Sequence, residues 1–448
     1  MCDQMQAGRM GFVDGVSHTP TMDQLAREGV HFTHAYTAQG QCVPSRAVFQ
    51  TGLYAHECGV MINYGKAFFG HENRLGPQHV TLGHAFQRAG YRTAYFGKSH
   101  LGVPLEKLGY EHASDSDSMR PDEAQTRELG IEHVPAALRN NYLSCAQAEK
   151  FLQDYRADGR PLFFTFSTNL PHPPFFTETK YASLFDRDSL ELPASYHEET
   201  FEGKPPFQKA HAEDGHHGVR DEDEARTELH RYLTMIAATD EHFGRIVAQF
   251  RLLGLWDHTV VMLTADHGDM MNAHRMRLKG TLPYDELYRI PLIMKLPVGR
   301  APRRQTIDDL VSNERFAATL LRAAGVAVPE AFRNGDFYDV FSRREHPRNE
   351  KVFFEHYGAY WGLHPFRGVV TRRFKYIRYY GEDDTEEMYD LEKDPAELHN
   401  IAASPSHDGV RRELVGEVNR WWSATGGRHS ACYESDAFKH NKHNTWTR

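Results

Sequence analysis

The run Thr259-Val260-Val261-Met262-Leu263-Thr264 constrains the fold more than any other stretch of this chain. It does not alternate polar with apolar residues, which is the pattern of a strand covered on both faces. Such a strand needs neighbours at its edges and helices above and below it, and the first two thirds of the chain supply both. Residues 21–28 read as a helix ended by Gly29, and 30–36 as a strand. Residues 81–89 read as an amphipathic helix stopped by Gly90, followed by a strand over 91–96. Another apolar strand covers 162–167, a long helix with an apolar stripe covers 225–253, and a short strand covers 291–295. This alternation predicts an α/β fold with a mostly parallel sheet flanked by helices.

A second region starts near residue 346. Short strands over 352–356, 366–371 and 374–380, an acidic turn over 381–387 and a helix over about 410–422 predict a small C-terminal antiparallel sheet plus helix. The expected division is a main domain over 1–345 and a C-terminal subdomain over 346–448. Residues 198–223, with His211, His216 and His217, read as a solvated loop, a metal-binding histidine tract being the lesser alternative. The polar tail after Gly426 is expected to be poorly ordered.

Composition excludes several classes. Hydrophobic residues make up 40% of the 448, enough for a large core, so the chain is not a disordered one. No apolar run is long enough to span a bilayer. The net charge is −9 with no long basic run, which argues against nucleic acid as a partner. An anionic substrate then requires positive charge gathered locally. The 5 cysteines form neither a disulfide framework nor a zinc-finger spacing, and 28 histidines leave metal and acid–base chemistry open.

Five strings carry chemistry. Cys42-Val43-Pro44-Ser45-Arg46 continues to Thr51-Gly52. Pro44 suits a helix start and Gly52 a helix end, so free N–H groups near Cys42 favour an anion. Arg46 in the first turn opposes the helix dipole unless an anion lies beside it. Asp266-His267-Gly268 follows the apolar strand, where a carboxylate and an imidazole can face a divalent cation. Alone, each has an ordinary alternative: Cys42 as a buried core cysteine, Asp266 and His267 as a hydrogen-bonded turn. Gly97-Lys98-Ser99-His100-Leu101-Gly102 and Pro171-His172-Pro173-Pro174-Phe175 also lie just beyond predicted strands, and Lys279-Gly280 follows the Asp266 motif.

Together these strings resemble the type I, formylglycine-dependent sulfatases on the alkaline-phosphatase-like fold, including their C-x-P-S-R-x-x-x-x-T-G signature at every fixed position. The resemblance runs along nearly the whole chain, to Met388-Tyr389-Asp390-Leu391 and Asn400. It implies that Cys42 is converted to formylglycine by a formylglycine-generating enzyme. It implies Asp3, Gln4, Asp266 and His267, with residue 42, as ligands of a divalent metal, Ca²⁺ first, with Mg²⁺ and Mn²⁺ open. Gln4 is the neutral member, a weaker ligand through its amide oxygen or, alternatively, a residue behind the ligands. It further implies Arg46, Lys98 and Lys279 as groups that stabilise charge on sulfate oxygens. His172 is the implied acid for the leaving alcohol, and His100 the implied base for the second hydroxyl of hydrated formylglycine. The expected substrate is a small-molecule or glycan sulfate ester. The alternatives are a phosphonate monoester or phosphodiester hydrolase of the same superfamily and a non-catalytic binder of sulfated glycans.

One departure stands out. Family members carry an apolar central strand before the position of Asp3, and here Met1 precedes Asp3 by two residues. Five or six buried apolar side chains contribute roughly 1.5–3 kcal/mol each. The expectation is therefore that the natural chain starts upstream. As the sequence stands it reads as cytoplasmic; an upstream signal peptide would make it periplasmic or secreted. Tyr64, Trp361 and His364 stand equally as pocket-lining rings and as packing, and nothing in the sequence gives an oligomeric state.

Overall fold

The computed structural model describes residues 1–63, 67–68, 71–116, 127–129, 131, 134, 139–175, 179–300, 305–342, 350–359, 364–380 and 385–427. In chain order the elements are α1 (Pro20–Glu28), β1 (Val30–Tyr36), α2 (Cys42–Thr51), α3 (Leu82–Arg88), β2 (Arg92–Gly97), β3 (His112–Ser114), α4 (Arg139–Asp154), β4 (Leu162–Ser167), α5 (Pro206–Glu213), α6 (Glu222–Leu252), β5 (Val261–Thr264) and β6 (Leu292–Lys295). They continue with β7 (Thr306–Ser312), α7 (Phe316–Ala323), β8 (Lys351–His356), β9 (Phe366–Thr371), β10 (Phe374–Tyr379), β11 (Glu386–Asp390) and α8 (Asp408–Ala424).

The central layer is built from two sheets. One has the order β5-β6-β1-β7, in which β6 alone runs against the others. The other, β3-β2-β4, is wholly parallel. Helices cover the layer because the strands bury apolar side chains to both sides, from Phe32, Leu263 and Ile293 to Phe96. Residues 1–3 join the two sheets. The Met1 amino group donates to the Phe166 carbonyl at 2.8 Å, and Thr168 N–H donates to the Met1 carbonyl at 3.0 Å. On the other side Cys2 N–H donates to Thr264 O at 2.8 Å, and Asp266 N–H donates to Cys2 O at 3.2 Å. Asp3 is thereby delivered to the carboxyl ends of β4 and β5. Beyond Met1 these two strands part around an apolar cavity of about 780 Å³, lined by Leu162, Phe164, Phe166, Phe250, Val260 and Met262.

The C-terminal region forms the antiparallel sheet β8-β9-β10-β11 with α8 against it. It is fastened to the first region by buried polar groups. His56 Nδ1 lies 2.7 Å from Glu355 Oε2, and the His56 ring packs at a tilt against Trp422, with centroids 4.4 Å apart. Lys204 Nζ contacts Glu199 Oε2 at 2.6 Å, Tyr284 OH at 3.1 Å and the Glu397 carbonyl at 2.7 Å. Lys204 belongs to the 198–223 segment expected to be a solvated loop, and that expectation is corrected here. The segment contains α5, with Gln208 and His211 buried, because Gln208 bonds Glu387 at 2.5 Å and Tyr379 at 3.2 Å. No helix among the described residues is long and apolar enough to cross a membrane. The tail beyond 427, Tyr64 and Trp361 lie outside the described residues.

Candidate active site

Helix α2 begins at Cys42 and closes on Gly52, whose φ of 65° is the left-handed conformation that favours glycine. All ten of its residues are buried, so Arg46 has no access to water and must be paired within the protein. Its Nε donates to Asp266 Oδ2 at 2.8 Å, and its Nη1 donates to the Lys98 carbonyl at 2.7 Å and Ser167 Oγ at 2.9 Å. Nη2 lies 3.9 Å from Asp3 Oδ1. Burial works against its charge, but Asp266 and then Asp3 outweigh burial and keep Arg46 protonated. The anion that a cation in the first helical turn requires is thus a pair of carboxylates. Arg46 serves to hold these in place, with Nε and Nη1 fully committed to protein groups.

Asp3, Cys42, Asp266 and His267 converge, with one ligand atom of each within 4.8 Å of the others and all four buried. Cys42 Sγ lies 3.2 Å from His267 Nε2, 3.7 Å from Asp3 Oδ1 and 3.0 Å from Lys279 Nζ. His267 Nδ1 is 2.7 Å from the Gly268 carbonyl, so Nδ1 carries the proton and Nε2 faces the sulfur. Asp266 Oδ1 accepts from the backbone N–H of His267 at 2.9 Å and of Gln4 at 3.0 Å. Lys98 Nζ donates to Asp3 Oδ2 at 2.5 Å, and Lys279 Nζ donates to Gln4 Oε1 at 2.5 Å. Two carboxylates and an amide oxygen, which are hard donors, and an imidazole, which is a borderline one, surround residue 42 and fit a divalent cation.

The electrostatics follow from this packing. Burial raises the Cys42 thiol, but Lys279, then Lys98 and His267, overcome it and hold the pKa well below the usual thiol value. Burial also raises Asp3, and Lys98, His172, Arg46 and Lys279 outweigh it to hold Asp3 well below the ordinary carboxylate range. Burial first, and Lys279 next, lower His172 to about 4. Its Nδ1 lies 2.5 Å from the Pro173 carbonyl, which leaves Nε2 for chemistry. His100 sits two residues past Lys98 with a left-handed φ of 55°. Its buried Nδ1 has no hydrogen-bond partner among the described residues, and its ring makes no bond to the cluster among them.

Two glycines set the backbone here. A Cβ on Gly268 would lie 1.8 Å from the Glu286 carbonyl oxygen. A Cβ on Gly97, whose φ is 114°, would lie 1.7 Å from the Ser167 carbonyl oxygen, the acceptor of the Lys98 N–H. Gly97→Ala must therefore move Lys98. We expect a loss of about 3 kcal/mol or more of stability, from the strained φ and the clash together, with reduced activity. A melting curve beside a rate measurement checks this, and a variant matching the parent in both would show that the strand end adapts.

The sequence strings missed Asp269. This buried carboxylate accepts from Met271 N–H at 2.8 Å and Leu278 N–H at 3.0 Å, and its Oδ2 bonds Gln4 Nε2. It directly follows the Asp266-His267-Gly268 motif, which is the one sequence cue to it. The histidine tract forms no metal cluster among the described residues, where Asp3, Cys42, Asp266 and His267 are the group found. His217 Nδ1 instead pairs with Asp214 at 2.7 Å. His364 stacks on Phe207 with ring centroids 3.8 Å apart, a packing contact.

The sequence model of the family described as Sulfatase matches residues 1–326, and that of N-sulphoglucosamine sulphohydrolase, C-terminal, matches residues 276–423. The uncharacterized sulfatase YidJ of Escherichia coli is 28% identical over 92% of this chain and 84% of its own length. The N-acetylglucosamine-6-O-sulfatase of Bacteroides thetaiotaomicron is 25% identical over 89% of this chain and 80% of its own. A solved structure in complex with its substrate D-glucosamine-2-N,6-O-disulfate superposes with a TM-score of 0.79 at 20% identity, covering 96% of this chain and 98% of the other. The phosphonate monoester hydrolase of Silicibacter pomeroyi superposes with a TM-score of 0.77 at 20% identity, covering 95% and 94%.

Proposed function

This chain belongs to the sulfatase family and is a sulfuric ester hydrolase, and from that premise we propose that it cleaves a small-molecule or glycan sulfate ester at residue 42. The observation that carries the reading is the convergence of Lys279, His267 and Asp3 on Cys42 Sγ, at 3.0, 3.2 and 3.7 Å. Formylglycine at position 42, made by a formylglycine-generating enzyme and hydrated, would supply one hydroxyl to attack sulfur, with departure of the alcohol, and a second whose deprotonation would free sulfate and restore the aldehyde. Asp3, Gln4, Asp266 and His267 would hold a divalent cation, Ca²⁺ by family resemblance with Mg²⁺ and Mn²⁺ open, that would supply Lewis acidity beside residue 42. Lys98 and Lys279 neutralise the sulfate oxygens in a site closed to water. His172 is the acid for the leaving alcohol. At about 4 its imidazole is neutral at pH 7, and an anionic ester beside Nε2 opposes the pull of Lys279 and favours protonation. His100 is the base for the second hydroxyl. Arg46 orients Asp266 and Asp3 from below.

The glycan is the favoured substrate class, on the names of the N-acetylglucosamine-6-O-sulfatase and of a 24% identical ulvan-active sulfatase of Formosa agariphila. The experiment is a peptide map of the protein from its native host. The tryptic peptide ending at Arg46 is expected to carry an aldehyde or its hydrate in place of the thiol; an intact cysteine would remove the mechanism. The structural likeness to a phosphonate monoester hydrolase motivates the second reading. An aryl sulfate is expected to turn over faster than the matching aryl phosphonate, and the reverse order would favour that reading. Conversion without turnover of either would favour a sulfated-glycan binder.

A further inference from the structure

Gln4 is the neutral member of a ring of charges, and its amide has two unlike faces. The oxygen only accepts and the NH₂ only donates. Whether Gln4 presents an acceptor to Lys279 and the cation site depends on which face turns inward. On one side of the amide stands Lys279 Nζ, an ammonium that only donates, 2.5 Å from Oε1. On the other stands Asp269 Oδ2, a carboxylate oxygen bonded to Nε2. Asp269 itself cannot swing away. Its second oxygen accepts from Met271 N–H at 2.8 Å and Leu278 N–H at 3.0 Å, and its carbonyl accepts from Gln6 Nε2 at 2.7 Å. Those two N–H donors bracket a segment in which Met271, Asn272, His274, Arg275 and Leu278 all have positive φ. Such a backbone persists only where surrounding bonds fix it, and the residue that follows Leu278 is Lys279.

We propose that Asp269 is a positioning residue that orients the Gln4 amide, so that the oxygen and not the NH₂ faces Lys279 and the cation site. It acts on both partners, on Gln4 through Oδ2 and on Lys279 through the loop that Oδ1 closes. The part of this inference that concerns catalysis rests on the reading under Proposed function; the part that concerns the amide does not.

The test exploits the symmetry of a carboxylate. In Asp269→Asn the new NH₂ can donate to the Gln4 oxygen, which turns the Gln4 NH₂ toward Lys279, donor against donor. In the double variant Gln4→Glu/Asp269→Asn, the carboxylate and the amide have changed places. One oxygen of the carboxylate at position 4 then accepts from the amide at position 269, while the other still accepts from Lys279. In Gln4→Glu alone, two carboxylates face each other. The full chain and these three variants are compared by thermal midpoint in EDTA and by calorimetric titration with Ca²⁺, Mg²⁺ and Mn²⁺. Each single substitution is expected to lower the midpoint, and the double variant to recover most of that loss. Asp269→Asn is expected to weaken Ca²⁺ binding about 10–100-fold, as loss of a partner behind a metal ligand does, with recovery in the double variant. A double variant no better than Asp269→Asn in EDTA overturns the inference. If Asp269→Asn does not fold, recovery of a folded protein by the double variant supports it and continued failure overturns it. If the parent protein binds none of Ca²⁺, Mg²⁺ and Mn²⁺, the metal part of the functional reading fails, and the midpoints in EDTA still decide the amide.

Discussion

Cys42→Ala is expected to bring sulfate-ester hydrolysis down to background, a loss of at least about 10³-fold, as deletion of a nucleophile does. Its effect on stability should be small by comparison. The side chain is short and no hydrophobic contact is lost on the scale of a large-to-small core change. The substitution does leave Lys279 without the sulfur 3.0 Å from its Nζ, but Gln4 Oε1 remains as its acceptor. The check is steady-state turnover of an aryl sulfate beside a thermal melt of the same preparation. Retained turnover with an unchanged melt would move the nucleophile elsewhere.

Arg46→Met has the largest expected effect on folding. The side chain has similar reach and no charge, so Asp266 and Asp3 lose their buried cation while keeping their burial. Breaking one half of a buried pair costs about 3–5 kcal/mol, because the partner charge is left uncompensated. Here Asp266 loses its 2.8 Å partner while Asp3 keeps Lys98 at 2.5 Å, and the Lys98 carbonyl and Ser167 Oγ lose a donor as well. We expect a lower thermal midpoint and, in whatever fraction folds, loss of activity through misplaced Asp266. Arg46→Lys should rescue only part of either, since an ammonium cannot reproduce the fork that bonds Asp266 and Lys98 together. Denaturant melts of the parent and both variants check this. A Met variant as stable as the parent would mean that the carboxylates are compensated by Lys98 and Lys279 alone.

The sequence was most legible where one local rule decided the structure. The strands Val30–Tyr36, Leu162–Ser167 and Phe366–Thr371 fall where apolar runs predict them. The helix behind Cys42 ends on Gly52 as expected and begins at Cys42, two residues before the Pro44 start that the sequence suggests. Less legible were elements whose stability comes from distant partners. β7 carries Asp308 and Asp309 in mid-strand, which breaks the apolar pattern; Asp308 is held by Arg372 at 3.1 Å. α5 reads as polar loop until Glu387 and Tyr379, far along the chain, are seen to satisfy Gln208. α4, a polar helix, gave no signal strong enough to name. In the site, the motifs located the residues that meet at Cys42, because each follows a strand and the sheet gathers strand ends. Asp269 escaped because its task is to hold another side chain, and such a partnership leaves no spacing in the sequence.

The join made by residues 1–3 has a consequence for timing. Met1 meets Phe166 across 165 residues, Arg46 meets Asp266 across 220 and Gln4 meets Asp266 across 262. Contacts this distant carry a loop-closure cost that local contacts do not. The centre around Cys42 is complete only when all three are made, and once assembled it leaves Cys42 only 1% exposed. On the reading proposed above, a maturation enzyme has to reach that thiol while the two sheets are still apart. The long separations that delay closure hold that window open, so slow assembly and successful conversion go together. A variant that closed sooner would do so at the expense of its own active fraction.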